Sequence, residues 1–287
     1  MNSSRRRPAP LDLLRLWPLR AWVAAVAVFL YAPLAVLVAF SFNDDRRGVV
    51  WRGFTTRWFV RAAGDADLMQ AFGNSLVIAL ASTAVSVVLG TGAALMLWRF
   101  RFPAKPLVEG ALGLPIVVPE ICMGAAMLVF FSQILPWPTQ APWPFNLGAI
   151  VISHVSFSFS FVAVVVRARL ASFPPETAEA ARDLGAGEGR VLRTILVPHM
   201  TPALIAGALL AFTLSLDDFV ITFFTSGPDT VTFPVKVYSM VRFSVSPEVN
   251  AASTALMAIT LCLTAVAVRL QGHAVVRAAQ RGEAASA

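Results

Sequence analysis

Long apolar runs separated by short polar clusters dominate the chain. A helix crossing a hydrocarbon core about 30 Å thick needs roughly 20 mostly apolar residues. Six runs meet that length: about Trp22–Phe42, Phe72–Leu97, Val108–Leu135, Leu147–Val166, Ala203–Phe224 and Ala251–Val268. The third is broken by Pro115 and Pro119, because proline removes a ladder hydrogen bond. None of the runs has the short alternating segments of a barrel strand. The pattern predicts an all-α integral membrane protein with six transmembrane helices.

Composition agrees and excludes other classes. Of the 287 residues, 57% are hydrophobic and 14% charged, against about 25% charged in an ordinary soluble domain. Disorder is excluded, since it requires low hydrophobicity and high charge. The net charge of +7 would suit nucleic acid or a membrane surface, and its placement decides for the membrane. With the N-terminus inside, sixteen of the 23 Lys and Arg fall on inside segments: Arg5, Arg6, Arg7, Arg15, Arg20, Arg99, Arg101, Lys105, Arg167, Arg169, Arg182, Arg190, Arg193, Arg269, Arg277 and Arg281. Basic residues concentrate on the cytoplasmic side of membrane proteins, so both termini are expected in the cytoplasm. The expected organisation is a cytoplasmic tail over 1–21, a first helix over 22–42, an outer segment over 43–71, a core over 72–270 and a cytoplasmic tail over 271–287. The basic stretch Arg5–Arg7 resembles a signal-peptide n-region, but the apolar run after it is too long and lacks an A-x-A site.

Several local features are less specific. Ser246-Pro247-Glu248 predicts the start of the sixth helix by capping, fixed φ and dipole compensation. The proline- and tryptophan-rich loop over 136–146 is expected at the outer interface. Small residues such as Gly90 and Gly124 predict close helix contacts. Ser153, Ser156 and Ser160 share one helix face, either bonding neighbouring helices or lining a polar path. His154 stands alone in the fourth run, and Cys122 and Cys262 read as small packing residues. No metal cluster and no catalytic constellation is expected.

The loop after the fourth run carries the strongest motif. Pro174-Pro175-Glu176-Thr177-Ala178-Glu179-Ala180-Ala181-Arg182-Asp183-Leu184-Gly185 is followed, nine residues on, by Ile195-Leu196-Val197-Pro198. It predicts a helix opened by proline and closed by glycine, then a second helix stopped at Pro198. Glu176 and Glu179 suit the first turn. The pattern E-A-A-x3-G-x9-I-x-L-P resembles the signature of permease subunits of binding-protein-dependent ABC importers, with Val197 in place of leucine. That resemblance implies the type I ABC importer permease (MetI-like) fold, with a coupling loop over 167–202 seated on an ATPase. The residues it implicates are Glu176, Glu179, Ala180, Ala181, Gly185, Ile195 and Pro198. The chain has no G-x-x-x-x-G-K-[ST] phosphate loop, so it is expected to be non-catalytic. It would bind no cofactor itself, ATP and Mg²⁺ being used by a separate ATPase dimer.

Charges inside the membrane cost several kcal/mol and are candidate functional groups. Glu109, near a helix end, is expected to be interfacial. Glu120 follows the broken Leu114–Pro119 stretch, and broken helices often mark a substrate path. Asp217 lies about 20 Å from the cytoplasmic end of the fifth run at 1.5 Å per residue. Asp217 and Asp218 point about 100° apart, so one can line a path while the other caps or pairs; alternatively both are interfacial. The segment Ser215-Leu216-Asp217-Asp218-Phe219-Val220-Ile221-Thr222, with Phe233–Ser239 and Val245–Ala251, resembles spermidine/putrescine permeases of the PotC/PotI type. This implies a polyamine substrate, a second permease subunit and a periplasmic polyamine-binding protein. It also implies an inner-membrane location. Carboxylates accept ammonium hydrogen bonds, and Phe219 and Phe223 would add cation–π attraction. The alternatives are another small solute in the same machine, or a secondary transporter without an ATPase.

Overall fold

A computed structural model describes residues 17–45, 50–134, 146–243 and 247–284. The 136–145 part of the Trp/Pro-rich loop, Arg5, Arg6, Arg7, Arg15, Arg46, Arg47 and Ser246 lie outside the described residues. So do the side chains of His273, Arg277 and Arg281.

Described secondary structure is helical apart from one isolated bridge, Asn43 to Phe54. The first helix, α1 (Trp17–Ser41), is strongly apolar and is covered by almost nothing among the described residues; it lies along α12 (Pro247–Ala284). A short α2 (Arg57–Gly64) leads into α3 (Ala66–Arg99). The Asp65 carboxylate accepts from the Leu68 amide and caps α3, so this helix begins six residues before the apolar run does. Between α1 and α2 the Asn43 side chain accepts from Arg52 N at 2.9 Å and donates to Val50 O at 2.7 Å. Trp58 Nε1 donates to the Asn43 carbonyl.

The centre of the bundle is α3, α6 (Leu147–Leu170) and α9 (Val197–Leu216). Ala94, Val162, Val166, Leu170, Met200 and Ala211 are buried where they meet. The α3–α6 approach is close because Gly90 has no side chain: an added Cβ would lie 2.6 Å from the Phe159 carbonyl oxygen. Ser86 and Ser158 hydrogen-bond across the same seam at 2.7 Å. The serines of the fourth run behave differently from expectation. Ser153 and Ser156 bond to carbonyls of their own helix, and Ser160 Oγ has no hydrogen-bond partner among the described residues. Cys122 and Cys262 are exposed on the outside of this chain rather than packed in its core.

Four described helices are long and apolar enough to span a membrane: Leu19–Ser41, Ala66–Arg99, Leu147–Leu170 and Glu188–Leu216. A fifth crossing arises only if the bent pair α4 (Lys105–Val117) and α5 (Glu120–Val129) counts as one. The sixth expected run lies in α12, and many of its later side chains are outside the described set, so six spans are not established. The α4–α5 bend is 107° and sits at Val118–Pro119. Val118 is extended, as a residue before proline is driven to be. Pro115 does not break the helix. It sits in the last turn of α4, and the ladder there loses the one bond that its missing N–H would have given to the Ala111 carbonyl.

Pro198 likewise does not stop its helix. From α8 (Glu188–Val191) the chain passes through a π-helical stretch, Leu192–Leu196, directly into α9. The Val197 amide reaches back five residues to Leu192 O. This wider turn just before Pro198 relieves the clash that proline causes with the preceding turn.

Candidate functional site

Two places gather the residues singled out by the sequence. The first is α7 (Pro175–Asp183). Ala178 points into the core beside Phe173, Val191 and Leu196, and Ala181 packs against the same cluster. Glu176, Glu179 and Ala180 are exposed. Leu184 is 89% exposed, a large apolar side chain at the tip of a loop.

The end of α7 is closed by two backbone bonds: Gly185 N to Arg182 O at 2.8 Å and Ala186 N to Ala181 O at 2.9 Å. This pair is the Schellman arrangement. Gly185 sits at φ +82°, where an L side chain costs about 1–2 kcal/mol. Arg182 then reaches α8, donating from Nε to Glu188 Oε1 at 2.7 Å and from Nη2 to Oε2 at 3.3 Å. That bond holds the Arg182 guanidinium above its ordinary pKa. Ile195 is half-buried in the π stretch against the core, whereas Pro198 is exposed. A polar cleft of about 240 Å³ separates α7 from Trp98 and Arg99 at the end of α3.

The second place is formed by two helix breaks that pack on each other. One is the α4–α5 bend. The other interrupts the fifth apolar run: α9 ends at Leu216, and α10 (Val220–Thr225) begins after Asp217-Asp218-Phe219. Helices α5 and α10 are in contact, with Gly124 of α5 against Phe224.

The two aspartates part company at this break. Asp218 is 9% exposed and turned into the bundle. Its Oδ2 accepts from Thr222 N and from Thr222 Oγ1, both at 2.8 Å, and its Oδ1 from Ile221 N at 3.4 Å. The free amides at the start of α10 are thus satisfied by a side chain, as a capping residue would do.

Asp217 is exposed and lines an open cavity of about 580 Å³ with Phe219, Tyr238, Val241, Met257 and Thr260 among its walls. Tyr238 belongs to α11 (Phe233–Phe243). Its ring lies 4.8 Å from Phe219 and 6.3 Å from Phe223, while Phe219 and Phe223 are 5.5 Å apart. Glu120, at the start of α5 and exposed, is close enough to Asp217 to act on its carboxylate electrostatically. Neither Glu120 nor Phe223 lines the cavity itself. Glu109 lies elsewhere, paired with Arg167 at 2.7 Å.

Sequence reasoning passed over Tyr238 and, above all, His154. The imidazole is 1% exposed. Nδ1 lies 2.7 Å from Ser215 Oγ, and Nε2 lies 2.9 Å from Thr222 Oγ1 and 3.4 Å from Asp218 Oδ2. Ser82 of α3 joins this network through Ser215 at 2.9 Å. An ionised carboxylate only accepts hydrogen bonds, so the Thr222 hydroxyl donates to Asp218. It therefore accepts from Nε2–H, and in the neutral imidazole Nδ1 is then the acceptor for the Ser215 hydroxyl. A lone histidine in an apolar run carries no local signal of this, because its partners lie 61 and 68 positions away.

The chain can be set beside known proteins. Residues 86–279 match the family described as binding-protein-dependent transport system inner membrane component. The chain is 39% identical over 244 residues to the spermidine/putrescine transport system permease protein PotC of Escherichia coli (strain K12), covering 84% of this chain and 89% of that one. It is 41% identical over 232 residues to the putrescine transport system permease protein PotI of the same strain, covering 80% and 82%. The fold is similar to a chain of a bacterial ABC transporter involved in the import of the acidic polysaccharide alginate. The TM-score there is 0.73 at 17% identity, covering 91% of this chain and 97% of that chain. A bacterial alginate transporter in complex with an alginate pentasaccharide-bound periplasmic protein gives 0.68 at 18% identity, covering 91% and 95%.

Proposed function

Because the chain belongs to the family of binding-protein-dependent transport system inner membrane components, we propose that it moves putrescine or spermidine inward across the bacterial inner membrane. It is a permease subunit of an ABC importer, of the type that includes PotC and PotI. In the proposed machine a second permease subunit completes the path, a periplasmic protein delivers the polyamine, and ATP is hydrolysed on a separate ATPase dimer. The path alternates between outward and inward access, and nucleotide drives the change only through contacts that differ between the two states. Both termini lie in the cytoplasm, following the basic residues.

One observation carries the cargo reading. Of two adjacent aspartates, one is committed to holding a helix end, and the other faces a cavity whose wall includes the rings of Phe219 and Tyr238. A polyamine is a flexible chain of ammonium groups. A carboxylate takes their charge, aromatic faces add cation–π attraction, and Glu120 adds a second negative charge nearby. The site is a transient stop rather than a trap, since the periplasmic protein supplies the affinity. At the cytoplasmic side, α7 offers Glu176, Glu179, Ala180 and Leu184 to a groove of the ATPase, with Gly185 and Arg182 holding the loop's shape.

The test is reconstitution of the chain with its second permease, ATPase and binding protein in proteoliposomes. ATP-dependent accumulation of labelled putrescine or spermidine is the expected result. ATP-dependent uptake restricted to an anionic or neutral solute would overturn the polyamine reading. Uptake driven by an ion gradient with no ATPase present would overturn the importer mechanism.

A further inference from the structure

We infer that His154 is the positioning residue of the transport path: it locks the break between α9 and α10 in the geometry that turns Asp217 into the cavity. This rests on the reading of Asp217 as the cargo-facing acid.

The imidazole comes from α6, a helix that contributes nothing to the cavity wall. It is placed between the two halves of the broken run. Nδ1 holds Ser215, the penultimate residue of α9, and Nε2 holds Thr222 in the first turn of α10. Asp217 lies between these two anchor points, and among the described residues its carboxylate is met only by its own backbone N–H. Its direction is therefore set by the backbone on either side of it.

That backbone has few other supports. Asp217 N still bonds back to Thr213 O, and Phe223 N to Phe219 O. A helix of six residues is too short to persist alone, so α10 depends on tertiary contacts. The Asp218 carboxylate secures its first turn from within the break. Among the described residues, His154 alone joins that turn to the end of α9 through one side chain, and the Ser215–Ser82 contact extends the tie to α3.

The hydrogens in this network run in one direction: Ser215 to His154, His154 to Thr222, Thr222 to Asp218. Every donor is committed once, and the imidazole must present an acceptor on one nitrogen and a donor on the other. Few residues meet both needs across that span. The position of an asparagine amide overlaps the Nδ1 side of histidine, and a glutamine amide reaches the Nε2 side. The two substitutions therefore separate the arms: His154→Asn keeps the bond to α9 and His154→Gln keeps the bond to α10.

The experiment uses the assembled importer in proteoliposomes, with labelled putrescine as probe and rates normalised to the amount of assembled complex. Loss of the α10 arm in His154→Asn is expected to lower the maximal uptake rate about tenfold, the scale of one buried hydrogen bond. KM should not change, because affinity belongs to the binding protein. His154→Gln is expected to keep most of the rate. In the background of Asp217→Asn, His154→Asn is expected to add no further loss, since it acts through the same carboxylate. Equal rates per complex for the two His154 variants would overturn the inference, as would an additive loss in the double variant. Wild-type uptake by Asp217→Asn alone would instead overturn the cargo-facing role of Asp217.

Discussion

Gly124 of α5 lies against Phe224 of α10: a Cβ on this glycine would stand 2.7 Å from Phe224 Cδ2 and 3.3 Å from the Ile221 Cα. The contact joins α5, whose first residue is Glu120, to α10, which begins just after the break that holds Asp217. It makes the position of one acid dependent on the packing of the other's helix.

Gly124→Val is accordingly expected to push α5 away from α10. Overpacking of this kind costs about 1–3 kcal/mol, and uptake should fall with it. Phe224→Leu in the same chain should recover part of both losses by vacating the ring. Thermal unfolding in detergent and uptake per assembled complex are the measurements. No recovery by Phe224→Leu would mean that the backbone at Ile221, rather than the ring, sets the limit.

Asp217 and Asp218 should separate cleanly in mutation. Asp218→Asn keeps the volume but weakens a buried acceptor of several hydrogen bonds, so a stability loss of about 1–3 kcal/mol is expected. Asp217→Asn, on the exposed side of the break, should leave the unfolding temperature within error of wild type and reduce uptake instead. A matching drop in stability for both variants contradicts the division of roles.

The α7 tip should be separable from membrane insertion. Gly185→Val forces a β-branched side chain into φ +82°, a cost of about 1–2 kcal/mol that opens the end of α7. Leu184→Glu places a charge on the exposed apolar tip. Both are expected to reduce co-purification of the ATPase while the permease stays in the membrane at wild-type level. Undiminished ATPase binding by Leu184→Glu would exclude this tip from the interface.

The segment between α1 and α2 should depend on Asn43. Asn43→Ala removes the bonds to Val50 O and Arg52 N, and trypsin should then cleave after the exposed Arg52 several-fold faster. Asn43→Asp keeps the acceptor and loses the donor, so an intermediate rate is expected. Cleavage unchanged in Asn43→Ala would assign the order of this segment to Trp58 and the aromatic contacts of Phe42 instead.

What the chain's order of residues determined by itself was everything that depends on local periodicity or on spacing within one segment. Apolar runs announce membrane helices because a backbone in hydrocarbon must bond to itself. The Glu179-Ala180-Ala181 to Gly185 spacing announces a capped loop helix because glycine adopts its left-handed end without the cost that a side chain brings. Proline effects were legible only in part. Val118–Pro119 bends the chain as the local rule requires, yet Pro198 passes through a continuous helix because a π turn before it makes room. The number of membrane crossings was not settled either, since a 107° bend decides what one apolar run becomes. Tertiary structure alone decided the roles at the second break. Asp217 and Asp218 are equal in sequence, and only the side on which α6 packs turns one of them inward. His154 gained its place from partners on α9 and α10, many helical turns away along the chain. Burial made each of those polar groups find a partner, and which partner was available depended on how the helices came together.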